Sequence, residues 1–209
     1  MPEKKLYVTY TSVNLDYVKK YKKKENSINL SELKVLFAGA IIKTKGLHTL
    51  LEALSLMSIA ERNKVKIFIA GKINLEDDYY KNCNELVIKN NIDAVWLNWV
   101  DNIPELMSGM DLICLPSHTE GMPRVIQEGM SLEKICVSTP VGGIPDLIID
   151  GKTGYLFGVN DSKALKNILS DVLSKNYDQS IGERASKRVF DEFNLESQVK
   201  LFLKFLKES

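Results

Sequence analysis

Residues 33–54 read LKVLFAGAIIKTKGLHTLLEAL, and residues 65–71 read VKIFIAG. Leu33 to Ala38 is a short apolar run stopped by Gly39. After Gly46 the apolar residues Leu47, Leu50, Leu51 and Leu54 fall at i, i+3, i+4 and i+7, one face of a helix. Val65 to Ala70 is a second apolar run, closed by Gly71. The unit is therefore strand, helix, strand. Neither run alternates with polar residues, which suits strands covered on both faces of a sheet.

The same rhythm continues along the chain. Residues 76–91 read as a polar helix with a narrow apolar stripe, Ala94 to Leu97 as a third strand, and Pro104 to Met110 as a short helix. Asp111 to Leu115 is a fourth strand, Pro123 opens a further helix at the position where its missing N–H costs nothing, and Ile135 to Ser138 is a fifth strand. Such alternation calls for right-handed crossovers and a parallel sheet, a doubly wound, Rossmann-like α/β domain. Residues 161–207 form a helical C-terminal tail, with Leu165, Ile168, Leu169 and Val172 as one stripe and Leu201, Phe202 and Phe205 as another. Ahead of the repeats, residues 1–30 hold a strand-like stretch, Leu6 to Thr11, and a lysine-rich segment. Residues 31–209 are the domain itself.

Composition narrows the class. The 209 residues are 44% apolar and carry 28 Lys plus Arg against 27 Asp plus Glu, a net charge of +1, which argues against a protein that coats nucleic acid. A chain of this length buries about 70% of its unfolded surface without staples. No window approaches the ~20 apolar residues of a membrane span, and the N-terminus has no apolar core of a secretory signal. Cys83, Cys114 and Cys136 form no CxxC pair, so neither a disulfide framework nor a zinc site is expected, and a reducing cytoplasm is the expected setting. Lys19, Lys20, Lys22, Lys23 and Lys24 could attract an anionic membrane surface, or serve simply as a solvated linker.

Ligands of open parallel sheets bind at the carboxyl ends of the strands. Two loops lie there. The first, Gly39 to Gly46, holds Lys43 and Lys45 ahead of a helix and suits an anion, although it is neither GxGxxG nor GxxxxGK[ST]. A plain strand-to-helix turn reads equally well. In the second, Pro116 to Met130, Glu120 lies in the loop and Glu128 in the following helix, roughly 7.5 Å along the axis from Pro123. The two carboxylates could hold opposite ends of one polyhydroxylated ligand, with Gly121 allowing close approach of the backbone. Spacing alone equally allows Glu120 as a helix-start charge and Glu128 as a solvent-facing residue.

The surrounding blocks occur in order: Pro116-Ser117, Glu120-Gly121-Met122-Pro123, Glu128-Gly129-Met130, Ser138 to Asp146 (STPVGGIPD) and Asp150 to Phe157 (DGKTGYLF). This sequence resembles the C-terminal, donor-binding domain of the family 4 retaining glycosyltransferases (group 1 glycosyltransferases) of GT-B fold, over essentially the whole chain from residue 6. The resemblance implies a domain that binds a nucleotide-diphosphate sugar, within an enzyme transferring a hexose-type sugar to a glycan or lipid-linked acceptor in polysaccharide biosynthesis. It implies that Glu128 binds the ribose hydroxyls, Glu120 the sugar hydroxyls, and the Gly121 and Met122 amides the sugar or its phosphate. Lys45 matches the lysine that neutralises the diphosphate, and Gly39 begins its loop. The strand and turn from Trp96 to Trp99 lie beside the base. No cofactor and no divalent cation are implied.

Two departures stand out. Ala40 replaces the arginine of the lysine loop, where Lys43 could substitute only as a point charge. Asn98 stands where glycine is common. His118, next but one to Glu120, could bond the donor or be a plain loop histidine; His48 reads as a surface residue, and both tryptophans as packing. Residues 6–18 already resemble the interdomain strand and turn. The resemblance therefore implies that the N-terminal acceptor domain is missing as a partner, through cutting or a truncated gene product. Contact with the inner face of a membrane would then belong to the full-length protein. Alternatives are a non-catalytic module that needs an acceptor-half partner, and a nucleotide-sugar epimerase of the same fold. A glycoside hydrolase is disfavoured, because a retaining pair must sit ~5–5.5 Å apart across one bond.

Overall fold

The computed structural model describes residues 13–22 and 31–208. The elements run α1 (Leu15–Lys19), β1 (Leu33–Ala38), a 3-10 turn (Lys43–Lys45), α2 (Leu47–Ser55), α3 (Ile59–Arg62), β2 (Val65–Ala70), α4 (Asp78–Lys89), β3 (Asp93–Asn98) and α5 (Ile103–Ser108). They continue with β4 (Leu112–Leu115), α6 (Arg124–Ser131), β5 (Ile135–Ser138), α7 (Ile144–Leu147), β6 (Tyr155–Leu156), α8 (Ser162–Leu173), α9 (Ile181–Glu192) and α10 (Leu195–Glu208). The strands form one sheet in the order β3-β2-β1-β4-β5-β6, every neighbouring pair parallel. The five strands expected between Leu33 and Ser138 are all present. β6 is an additional strand, two residues long and therefore too short to announce itself by periodicity.

Alternation along each strand sends side chains to opposite faces. Leu33, Val35 and Phe37 of β1 join Leu47, Leu50, Leu51 and Leu54 of α2 and Leu165, Leu169 and Val172 of α8 in one apolar layer. Leu36 and Ala38 point the other way, to a layer with Val18 of α1, Met107 of α5, Ile126 and Met130 of α6, and Val189 of α9. Both faces are covered, which is why the strands read as mainly apolar runs without polar alternation. The sheet's order reverses beside β1, and the loops leaving β1 and β4 open side by side at that point.

Two expectations need amendment, and a third falls outside the described residues. Pro123 is the N-cap of α6, in extended backbone (φ −73°, ψ 116°), and the helix begins at Arg124. On α10 the apolar residues Leu195, Val199, Leu201, Phe202, Leu203 and Leu206 are exposed rather than buried. The strand-like stretch Leu6 to Thr11 and Lys23 and Lys24 lie outside the described residues. Among the lysines that are described, Lys19 lies 3.9 Å over the Phe190 ring and Lys22 pairs with Glu133, so both are engaged within the domain.

Candidate functional site

The loops after β1 and β4 are joined at several points. Gly46 ends the 3-10 turn in the left-handed region (φ 72°), and a side chain there would overlap the Pro116 carbonyl oxygen. The His118 N–H donates to the Thr44 carbonyl at 2.8 Å. Lys45 Nζ lies 2.7 Å from Glu120 Oε1, and the Ser117 hydroxyl donates to the same oxygen at 2.6 Å. The Glu120 side chain is 8% exposed and that of Lys45 27%. The sequence brought Lys45 and Glu120 forward as separate candidates; the fold binds them to each other.

The loop after β5 supports this pair from below. Gly142 is also left-handed (φ 57°), and a Cβ there would overlap the Glu120 carbonyl oxygen. The Gly143 N–H donates to the Gly121 carbonyl at 2.6 Å, and Met122 packs against Gly143. The Thr139 hydroxyl donates to the Ser117 carbonyl. Gly121 itself faces open space, with nothing within 4 Å of where its Cβ would lie. Its lack of a side chain is thus not demanded by packing.

Glu128 is buried on α6, only 9% exposed, which rules out the solvent-facing alternative. Burial pushes its carboxyl above the ordinary carboxylate range, opposed by the Arg124 guanidinium. Arg124 Nη2 lies 3.6 Å from Glu128 Oε1, one helical turn away. Among the described residues no side chain caps the start of α6.

Glu128 lines a cavity of about 500 Å³ at the carboxyl edge of the sheet, with Gly39, Ala40, Lys72, Trp99 and Tyr17. Gly39 is thus placed at the cavity, whereas Lys43 is exposed on the 3-10 turn and does not line it. Trp96 is packing, edge-on to Tyr80 at 5.0 Å, but Trp99 is 72% exposed at the cavity, with Nε1–H donating to Asp101 at 2.8 Å. Asn98 adopts φ 57°, a left-handed conformation that asparagine shares with glycine, and its side-chain oxygen accepts the Ile73 N–H at 3.1 Å. The departure at this position preserves the turn.

Sequence reasoning missed Tyr17, Arg124 and Lys72. Tyr17 comes from α1, near the start of the chain. Its hydroxyl, the Tyr21 hydroxyl and the Asn102 side-chain amide form a cluster, with Asn102 Nδ2 donating to Tyr21 at 2.9 Å. No local pattern signals a contact across 85 residues.

Both histidines lie behind the first loop. His48 is half-buried and engaged rather than free on the surface: its N–H donates to the Tyr79 hydroxyl at 3.1 Å, Nδ1 lies 2.9 Å from that hydroxyl, and Nε2 lies 3.3 Å from Asn160 Oδ1. Burial lowers its basicity, partly offset by Asn160. The His118 ring packs edge-on against His48 at 5.6 Å between centroids, with Nε2 buried and lacking a hydrogen-bond partner. Cys83, Cys114 and Cys136 are buried free thiols. Among the described residues no group of three or more His, Cys, Asp or Glu is placed to hold a metal ion, and no helix is long and apolar enough to cross a membrane.

The chain is similar to known proteins in sequence and in fold. The capsular polysaccharide biosynthesis glycosyltransferase CapM of Staphylococcus aureus is 26% identical over 176 residues, 80% of this chain and 46% of CapM. The chain spans about half the length of the curated relatives it matches. Among solved structures, Anabaena Alr3699/HepE in complex with UDP superposes with a TM-score of 0.84 at 22% identity, covering 97% of this chain and 57% of HepE. The C-terminal domain of the group 1 glycosyl transferase LpcC from Francisella tularensis has a TM-score of 0.74 at 20% identity, covering 85% of this chain and 98% of that domain. These superpositions establish the shared Rossmann-like fold. The profile for glycosyl transferases group 1 matches residues 18–188, from α1 to α9 and across both joined loops, and the chain belongs to that family.

Proposed function

We propose that this chain is the nucleotide-diphosphate-sugar-binding domain of a retaining glycosyltransferase, which transfers a hexose-type sugar to a glycan or lipid-linked acceptor. The observation that carries it is the buried Glu128 in a cavity at the sheet's reversal point, beside loops joined by Lys45 and Glu120. A carboxylate buried against an apolar helix face is costly unless it has a partner, and a pair of vicinal ribose hydroxyls supplies one. HepE, which shares the fold, was solved in complex with UDP.

In this reading Glu128 accepts hydrogen bonds from the ribose, and Glu120 accepts them from the donor sugar. The Gly121 and Met122 amides approach the sugar or its phosphate, in the space left open beside Gly121. Gly39 lets the first loop lie close to the ligand. Lys45 neutralises the leaving diphosphate as the glycosidic bond breaks and the sugar gains oxocarbenium character. Lys43 adds charge from the turn, and His118 holds the second loop to the first through Thr44. Catalysis then rests on positioning and on stabilising the leaving group.

The acceptor is supplied by another domain. The exposed apolar side of α10 and the cavity of about 1090 Å³ between it, α1 and α9 support a partner half that docks there. The same surface supports a second reading, a non-catalytic module that works only with such a partner. Calorimetric titration with UDP, GDP and ADP tests the first reading: one of them binds, and both Glu128→Ala and Lys45→Ala weaken it. Unchanged affinity in both variants would overturn it.

A further inference from the structure

We propose that Arg124 is the cation that grips the donor's phosphate in this cavity, doing the work that Ala40 leaves undone on the first loop. This inference rests on the donor-binding reading above and adds a residue to it. Arg124 and Ala40 line the same cavity, together with Gly39 and Glu128. The lysine on the first loop is shared: Lys45 lies 2.7 Å from the Glu120 carboxylate, which offsets part of its charge toward a diphosphate and leaves room for a second cation. Lys43 does not line the cavity, which leaves Arg124 and Lys72 as the basic side chains that do.

The position of Arg124 is not explained by helix stability. It is the first residue of α6, and a cation there opposes the helix dipole, at a cost of about 0.3–1 kcal/mol. Nor is it spent on Glu128. At 3.6 Å the contact is longer than a hydrogen bond, and the Arg124 side chain remains 72% exposed. An exposed pair of this kind contributes little, so the guanidinium turns to a ligand at small cost. Its planar fork matches a phosphate with two parallel hydrogen bonds, which a lysine cannot provide.

Glu128 and Arg124 lie one helical turn apart on one face, roughly 6 Å along the axis. A furanose presents its vicinal hydroxyls and its 5′-phosphate at opposite ends of a span of that order. One turn of α6 thus reads both ends of the nucleotide, hydroxyls at the carboxylate and phosphate at the guanidinium.

The test is calorimetric titration of the whole chain with UDP, GDP and ADP, and then with the monophosphate and free nucleoside of whichever binds. Proteins compared are wild type, Arg124→Gln, Arg124→Lys and the double variant Ala40→Arg/Arg124→Gln, with thermal unfolding as a control for folding. Arg124→Gln is expected to weaken the diphosphate about tenfold while leaving the nucleoside within about twofold, as loss of a charged hydrogen bond requires. Arg124→Lys retains part of the affinity, and Ala40→Arg restores it in the double variant. Equal losses for nucleoside and diphosphate would overturn the proposal, since Arg124 would then act only by holding Glu128. Unchanged diphosphate binding in Arg124→Gln would overturn it too. Wild type that binds none of the three diphosphates would instead overturn the donor reading beneath it.

Discussion

The ammonium of Lys45 and the carboxylate of Glu120, 75 residues apart in the chain, meet at 2.7 Å and lock the loop after β1 to the loop after β4. Ser117 reinforces the carboxylate from the same side. The contact does two things at once: it ties the two loops together and it sets where the Lys45 ammonium stands. Lys45→Met leaves the nearly buried Glu120 with Ser117 as its side-chain partner among the described residues. Loss of about 1–3 kcal/mol is expected, discounted because Lys45 is partly solvated, with Tm falling by several degrees. The double variant Lys45→Met/Glu120→Gln recovers part of that loss but not nucleotide binding, which thermal unfolding and titration together would reveal.

Glycines divide by role. Gly121→Ala meets open space and should leave stability within about 0.5 kcal/mol, while weakening donor binding by crowding the ligand. Gly46→Ala combines a left-handed φ with overlap on the Pro116 carbonyl, and should cost about 1–3 kcal/mol or more. Urea unfolding of both variants checks the contrast.

Glu128 gives a pH signature. Its carboxyl titrates above the ordinary range because of burial, so the folded state favours the neutral form. The stability it contributes is present in acid, below the unfolded carboxylate value, and is lost as pH rises through the raised folded value. Glu128→Gln therefore unfolds at a higher temperature than wild type at pH 7.5, a difference that shrinks toward pH 4, while its nucleotide affinity is lower. Melting curves across that range decide it.

His48 has the opposite sign. Burial depresses its pKa, so its contribution is present above the ordinary imidazole value and is lost as pH falls through the depressed one. Protonation would bring a charge into the contacts with Tyr79 and Asn160. Relative to His48→Gln, wild type should lose stability between about pH 7 and pH 5, as thermal unfolding in that window would show.

The parts of the fold legible in the sequence were those set by local pattern. β1, β2 and β5 are mainly apolar runs, and their bounds as read coincide with those in the structure. β6 has two residues, held by pairing with β5 and by the Leu156 N–H on Asp150, and is too short for a periodic pattern to mark it. In the site, Glu120, Glu128 and Lys45 were readable from spacing and ordered motifs, but their relations were not. That Lys45 pairs with Glu120, that Glu128 is buried, and that Tyr17 reaches the cavity from α1 all depend on chain crossings of tens of residues. His48 was misread because an isolated polar residue on a helix gives no hint of Tyr79, which arrives from α4. Arg124 carries no signal of its own, since a single basic residue at a helix start does not announce a ligand.

The central claim, donor binding at Glu128, is tested most directly by a thermal-shift panel of UDP, GDP and ADP with their sugar conjugates on wild type and Glu128→Ala. A ligand at ~100 times its dissociation constant adds about 2.7 kcal/mol to the folded state. A rise in Tm with one nucleotide series, absent in Glu128→Ala, is the expected result. No rise with any of them, or an equal rise in both proteins, would contradict the account.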